Sequence, residues 1–167
     1  MTAAESLVIE PLGADHDRAV FSCGHDILDS YIKQRAGQDL RRRIARVFVC
    51  TAPDSPAILG FYTLSALSLD VGTLPHRLVR RLPKQPLPAA LIGRLAVARE
   101  AQGQGIGRML LADALKRAVS AGATIGIYAL VVDAKDRQAK QFYAHFGFLA
   151  LAENTDRLFL PLGPSAQ

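Results

Sequence analysis

Short, continuous apolar runs alternate along the chain with stretches in which apolar residues return every three or four positions. Ser6 to Leu12 reads as a first strand. Cys23 to Asp26 is turn-like, with Gly24 and Asp26 as candidate helix starters. Behind it, Ile27, Leu28, Tyr31, Ile32 and Arg35/Ala36 follow the i, i+3, i+4 spacing of a helix. Ile44 to Thr51 is apolar and β-branched, and Pro53-Asp54-Ser55-Pro56 turns the chain. Ala57 to Val71 follows as a long strand bent near Leu67 to Asp70, so the two runs predict an antiparallel pair.

Four prolines between Gly72 and Pro88 leave room for at most one helical turn. Ala89 to Ala98 is apolar almost throughout, the pattern of a buried central strand. From Ile106 to Ala121 the stripe Gly107, Leu110/Leu111, Ala114/Leu115, Ala118 predicts a helix packed on a sheet. Thr124 to Val132 is a further continuous apolar strand. Asp133 is the predicted N-cap of a helix with apolar face Ala139, Phe142, Tyr143, Phe146, ending at Gly147. Phe148 to Leu151 and Arg157 to Leu162 complete the chain as a hairpin. The order β-α-β-β-loop-β-α-β-α-β-β predicts an α/β fold, and 167 residues suit one domain, 1–167.

Composition narrows the function classes. Half the chain is apolar, which excludes disorder, and no run reaches the ~18 apolar residues of a membrane span. Met1 to Glu10 lacks a basic start followed by an apolar block, so no secretory signal is expected. Cys23 and Cys50 could pair, but without such a signal reduced thiols in the cytoplasm are the expectation. No CxxC or clustered His/Cys spacing points to a metal.

The net charge of +5 is unevenly placed. Lys33, Arg35, Arg41, Arg42, Arg43 and Arg46 stand against one acid, Asp39, while Arg77, Arg80, Arg81 and Lys84 stand against none. Clustered cations add their fields and release counterions on binding phosphate, which points to a polyanion. A solvated face or an acidic protein partner is the alternative.

Chemistry concentrates in Gln102-Gly103-Gln104-Gly105-Ile106-Gly107, between a strand and a helix. Glycines bring backbone amides close to a ligand, and the helix start adds unpaired N–H groups and partial positive charge. Together these suit a pyrophosphate. The G-x-G-x-G spacing fits a dinucleotide fingerprint poorly, and the Gly-Lys-Ser/Thr of a P-loop is absent. Gln102, Gly105 and Gly107 match the Q/R-x-x-G-x-G/A signature of GNAT acetyltransferases.

With Ile92-Gly93-Arg94-Leu95-Ala96-Val97, Gln102 to Leu111, Val132-Asp133-Ala134-Lys135 and Phe142 to Phe148, the chain resembles the GNAT toxins of bacterial toxin–antitoxin modules (TacT-like). Phe21 to Gly24, Arg41 to Arg43 and Tyr62 to Ser65 are similar too. An acid commonly follows the Leu-Ala-Val run, where this chain has Ala98. The resemblance implies a GNAT fold, a mixed sheet of about six to seven strands flanked by about four helices. It implies acetyl-CoA as cofactor, with the pantetheine arm on Leu95, Ala96 and Val97 and the pyrophosphate on Gln102, Gly103, Gln104, Gly105, Ile106, Gly107 and Arg108. It also implies acetylation of the α-amine of aminoacyl-tRNA, arrest of translation, and neutralisation by a ribbon-helix-helix antitoxin. A homodimer that joins the basic surfaces is expected.

Amine attack on a thioester requires an uncharged nucleophile and a proton for the departing thiolate. Tyr143, on the apolar stripe of the last helix, is the expected donor, in agreement with the family role. A lysine substrate would call for a base, yet the strand 89–98 holds no Glu, Asp or His. An α-amine, titrating near ~8 and lower beside an ester, needs none. His145 is expected to be exposed. Arg94 could reach a phosphate of CoA, a phosphate of RNA, or a core carboxylate. The two basic clusters would track an acceptor stem through phosphates. A GNAT enzyme acting on a small amine or protein N-terminus, or a non-catalytic CoA- or nucleic-acid-binding module, would share parts of this pattern.

Overall fold

The computed structural model describes residues 6–151 and 156–163. Its elements are β1 (Val8–Pro11), α1 (Asp26–Ser30), a π-turn (Tyr31–Arg35), α2 (Ala36–Arg41), β2 (Arg46–Thr51) and β3 (Gly60–Leu69). Then come α3 (His76–Val79), β4 (Leu87–Val97), α4 (Ile106–Ala121), β5 (Ala129–Asp133), α5 (Arg137–His145), β6 (Leu149–Ala150) and β7 (Arg157–Pro161). The seven strands form a mixed sheet in the order β1-β2-β3-β4-β5-β7-β6. β2 and β3 are antiparallel, as predicted, and β4 and β5 are parallel over Ala89–Ile92. β4 runs on five residues beyond that ladder, to Val97.

The chain packs as two compact units: Met1–Ser65 with Gly93–Leu115, and Ala66–Ile92 with Lys116–Gln167. In the first, an aromatic column forms the core: Phe21 meets Phe61 edge-on, and Phe61 stacks on Tyr31. Here β3 and α4 approach closely. A Cβ added at Gly60 would lie 3.0 Å from both the Ala96 carbonyl oxygen and Leu110 Cδ1, and 3.2 Å from Ile106 Cγ2. An alanine there would require these neighbours to give by a few tenths of an ångström. In the second unit, Leu69, Val71, Leu74, Leu87, Val131 and Phe159 share a buried cluster.

Four local expectations change. Ile27, in the first turn of α1, is 83% exposed, and the buried stripe is Leu28, Tyr31, Ile32 and Ala36. Ile44 is also exposed, and β2 starts at Arg46. The apolar run Thr124 to Val132 is strand only from Ala129: Thr124 and Ile125 donate to the Ala121 carbonyl and prolong the exit from α4. Asp133 is not an N-cap. It closes β5 and binds Arg157, while Asp136 caps α5 by accepting from the Ala139 amide at 2.8 Å. β6 and β7 pair antiparallel as the predicted last hairpin, whose turn lies outside the described residues.

Candidate active site

In the first unit, the segment from Ala98 to Ile106 is anchored from below. The Ala98 amide donates to the Leu59 carbonyl and the Arg99 amide to the Ser22 carbonyl, both at 2.8 Å. Gln102 donates its side-chain amide to the carbonyls of Cys23 (3.1 Å) and Val97 (3.0 Å), and its backbone amide to that of Arg99. Its side chain is thus a brace that joins the loop to the Phe21–Gly24 segment. Ala98 is buried, so the position after the Leu-Ala-Val run faces protein here.

Above this brace the chain opens to solvent. Gly103 (φ +82°) and Gly105 (φ +83°) adopt left-handed conformations that favour glycine. A Cβ built at either would meet nothing within 4 Å, so the loop borders open space. The Met109 amide reaches back to the Gly105 carbonyl at 3.1 Å and opens α4. The amides of Ile106 and Gly107 precede that first bond, as at any helix N-terminus. A braced base, bare glycines and a 16-residue helix behind them fit a pyrophosphate. On β4, Ala96 is buried and Leu95 and Val97 are half-buried.

Arg94 sits 3.7 Å over the centre of the Tyr31 ring. It reaches no carboxylate among the described residues, which removes the core-carboxylate role. The Tyr31 hydroxyl donates to Asp39 at 2.8 Å, and burial, with that bond, pushes its pKa up to about 12. A second tyrosine pair escaped sequence reasoning: Tyr62, fully buried, donates to Asp113 of α4 at 2.6 Å. An acid set between Leu110 and Ala114 on the apolar stripe was the available signal. Burial, with the Asp113 charge adding to it, pushes the Cys50 thiol up to about 11. Neither Cys23 nor Cys50 forms a disulfide, and both are buried.

In the second unit, Tyr143 is 4% exposed on α5, with its ring against Phe142 and Phe148. Burial, and then the Asp133 carboxylate, raise its pKa well above that of an ordinary phenol, so it holds its proton. Arg157 fixes Asp133 through two hydrogen bonds, of 2.7 and 3.2 Å. A cavity of about 580 Å³ opens among Ser68, Asp70, Thr73, Asp133, Asp156 and Arg157. His145 is exposed, as expected.

All ten clustered cations are exposed: Lys33, Arg35, Arg41, Arg42, Arg43 and Arg46 in the first unit, and Arg77, Arg80, Arg81 and Lys84 in the second. Among the described residues no group of His, Cys, Asp or Glu could hold a metal ion, and no helix is long and apolar enough to cross a membrane.

Comparison with known proteins places these features in context. Residues 25–148 match the acetyltransferase (GNAT) family model. A tRNA-acetylating toxin of Mycobacterium tuberculosis is 40% identical over 132 residues, 79% of this chain and 78% of that protein. A probable toxin TacT of Sinorhizobium fredii is 32% identical over 170 residues, 96% of this chain and 94% of its own. Among solved structures, a tyrosine-to-phenylalanine mutant of KacT superimposes with a TM-score of 0.90 at 33% identity, covering 94% of this chain and 95% of that one. AtaT complexed with acetyl-methionyl-tRNA gives 0.87 at 33% identity, covering 93% and 94%. A tyrosine-to-phenylalanine mutant of AtaT, bound to the C-terminus of the antitoxin AtaR and acetyl-CoA, gives 0.80 at 31% identity, covering 94% of each.

Proposed function

The chain belongs to the acetyltransferase (GNAT) family, and from that premise we propose that it is a toxin that acetylates the α-amine of aminoacyl-tRNA, stops translation, and is neutralised by a cognate antitoxin. The observation that carries this reading is the likeness, over nearly the whole chain, to AtaT in complex with an acetylated aminoacyl-tRNA. The tRNA-acetylating toxin at 40% identity supports it. So do ten exposed, clustered cations, a surface that acetylation of a small amine would not require.

Acetyl-CoA, which AtaT binds, would supply the activated acetyl thioester. In this reading the backbone of Gly103 to Arg108 and the start of α4 hold its pyrophosphate, with Gln102 bracing the loop. The strand Leu95-Ala96-Val97 offers backbone groups to the pantetheine arm, in the manner of an added strand. Tyr143 is the catalytic acid: its raised pKa keeps the phenol protonated until a departing thiolate takes the proton. No carboxylate base is needed, because an aminoacyl α-amine is largely neutral near pH 7. Lys33, Arg35, Arg41, Arg42, Arg43 and Arg46, with Arg77, Arg80, Arg81 and Lys84, hold the acceptor-stem backbone. The chain acts as one catalytic domain in the cytoplasm, as a homodimer, and its antitoxin is of the ribbon-helix-helix type.

The test is acetylation of a charged-tRNA pool with labelled acetyl-CoA beside a panel of small amines and peptides. Label is expected on aminoacyl-tRNA. Label confined to the small amines would replace this reading with that of a small-amine acetyltransferase.

A further inference from the structure

We propose that Arg94 is a binding residue for a phosphate of the acceptor RNA, held ready by Tyr31; the proposal rests on the tRNA reading above. Arg94 is half-buried on β4, one residue before the Leu95–Val97 segment. Its guanidinium lies 3.7 Å over the Tyr31 ring. That contact uses the flat face of the group and leaves its edge N–H donors for another partner. No hydrogen-bond acceptor or carboxylate among the described residues takes them. A partly desolvated charge with no direct ion-pair partner among the described residues is unfavourable in the free protein, and a bound anion offsets it.

The ring is tuned for this task. Its hydroxyl donates to the Asp39 carboxylate at 2.8 Å, which enriches the ring face that Arg94 meets. Tyr31 is itself 1% exposed and stacked on Phe61, so the platform under the guanidinium is rigid. Arg35 lies 5.9 Å from the centre of the same ring. Two guanidinium groups drawn to one ring repel each other unless an anion is near, and their fork geometry matches phosphate oxygens.

A phosphate could come from CoA or from RNA, and placement favours RNA. The cofactor's pyrophosphate has its own backbone cradle further along the chain. Tyr31, by contrast, lies on the helical segment that also bears Lys33, Arg35 and Arg41, each exposed. Arg94 therefore extends the basic helix face onto β4, to within one residue of the proposed pantetheine strand. That position suits a phosphate near the RNA 3′ end, which carries the reacting ester.

The experiment compares wild type, Arg94→Gln and Arg94→Lys in three measurements: CoA affinity by calorimetry, steady-state acetylation of aminoacyl-tRNA, and the salt dependence of binding to deacylated tRNA. Arg94→Gln is expected to raise KM for aminoacyl-tRNA about tenfold, the scale of one charged hydrogen-bonded contact. kcat and CoA affinity should hold. The log–log salt slope should fall by about 0.7, one phosphate's worth on a single strand. Arg94→Lys keeps the charge and packing without the fork, so it should recover the slope and only part of KM; it also serves if the glutamine variant folds poorly. Unchanged KM and slope in a variant of an active wild type would overturn the assignment. Weakened CoA affinity would overturn it too and give the phosphate to the cofactor. A wild type that never acetylates aminoacyl-tRNA would instead remove the reading on which the proposal rests.

Discussion

The role proposed for Tyr143 asks it to be buried and to exchange a proton, and its surroundings suit both. Burial disfavours the phenolate, and the Asp133 carboxylate, fixed by Arg157, disfavours it further. The phenol therefore stays protonated at physiological pH and is available as a donor while the thioester bond breaks. Tyr143→Phe keeps the ring and its contacts with Phe142 and Phe148. Turnover should fall about 10²-fold or more, the scale of a lost general acid. Melting temperature and acetyl-CoA affinity should stay close to wild type. Steady-state kinetics beside calorimetry checks this, and a variant with wild-type turnover would make the tyrosine purely structural. The stripe Ala139, Phe142, Tyr143, Phe146 was legible because helical periodicity alone places it. The charge beside it was not, since Asp133 reads equally well as a cap until the strand is seen to run through it to its pairing with Arg157.

Among elements, the legible ones are those whose ends carry chemical punctuation. α4 runs over the predicted residues, from the glycine turn to Ala121 before Gly122. β5 begins five residues later than its apolar run, because hydrophobicity cannot separate a strand from the apolar exit of a helix. The π-turn has no local sequence signature, and the predicted Tyr31, Ile32 and Ala36 stay buried through it. The glycine loop was read correctly as a turn, but the brace beneath it joins residues 79 positions apart in sequence, beyond the reach of any local pattern. This element has a direct test. Gly105 borders open space, so Gly105→Glu costs backbone strain at φ +83° but meets no protein atom within 4 Å of its Cβ. The variant should fold with a moderate loss of stability, about 1–2 kcal/mol. It should lose CoA binding through the carboxylate set where phosphate belongs. Undiminished affinity in a folded variant would move the cofactor elsewhere.

At the scale of the molecule, buried acidic protons set an alkaline limit. Cys50 is raised from 9.0 to about 11, Tyr31 from 10.0 to about 12, and Tyr143 is raised as well. Each group binds its proton more tightly when folded than unfolded. Its contribution is complete below the unfolded pKa and is lost as pH climbs toward the folded one. Melting temperature should be level from about pH 7 to 9, dip first as unfolded Cys50 ionises, then fall faster above about 10 as the tyrosines follow. Thermal unfolding across that range measures it, and a level profile to about pH 11 would contradict the assigned burial. The global charge pattern was the most readable property of all, since all ten clustered cations are exposed. Arg94 was harder to read: the tyrosine it covers lies 63 positions away.

Gly60 works as a machinist's gauge block. Its single hydrogen sets the clearance between β3 and the first turns of α4, since the atoms a larger residue would strike belong to Ile106, Leu110 and Ala96. Ile106 opens the helix whose leading amides are proposed to hold the pyrophosphate. The height of that rim is thus set away from the glycine loop, and a single methyl at Gly60 would have to push β4 or α4 by a few tenths of an ångström.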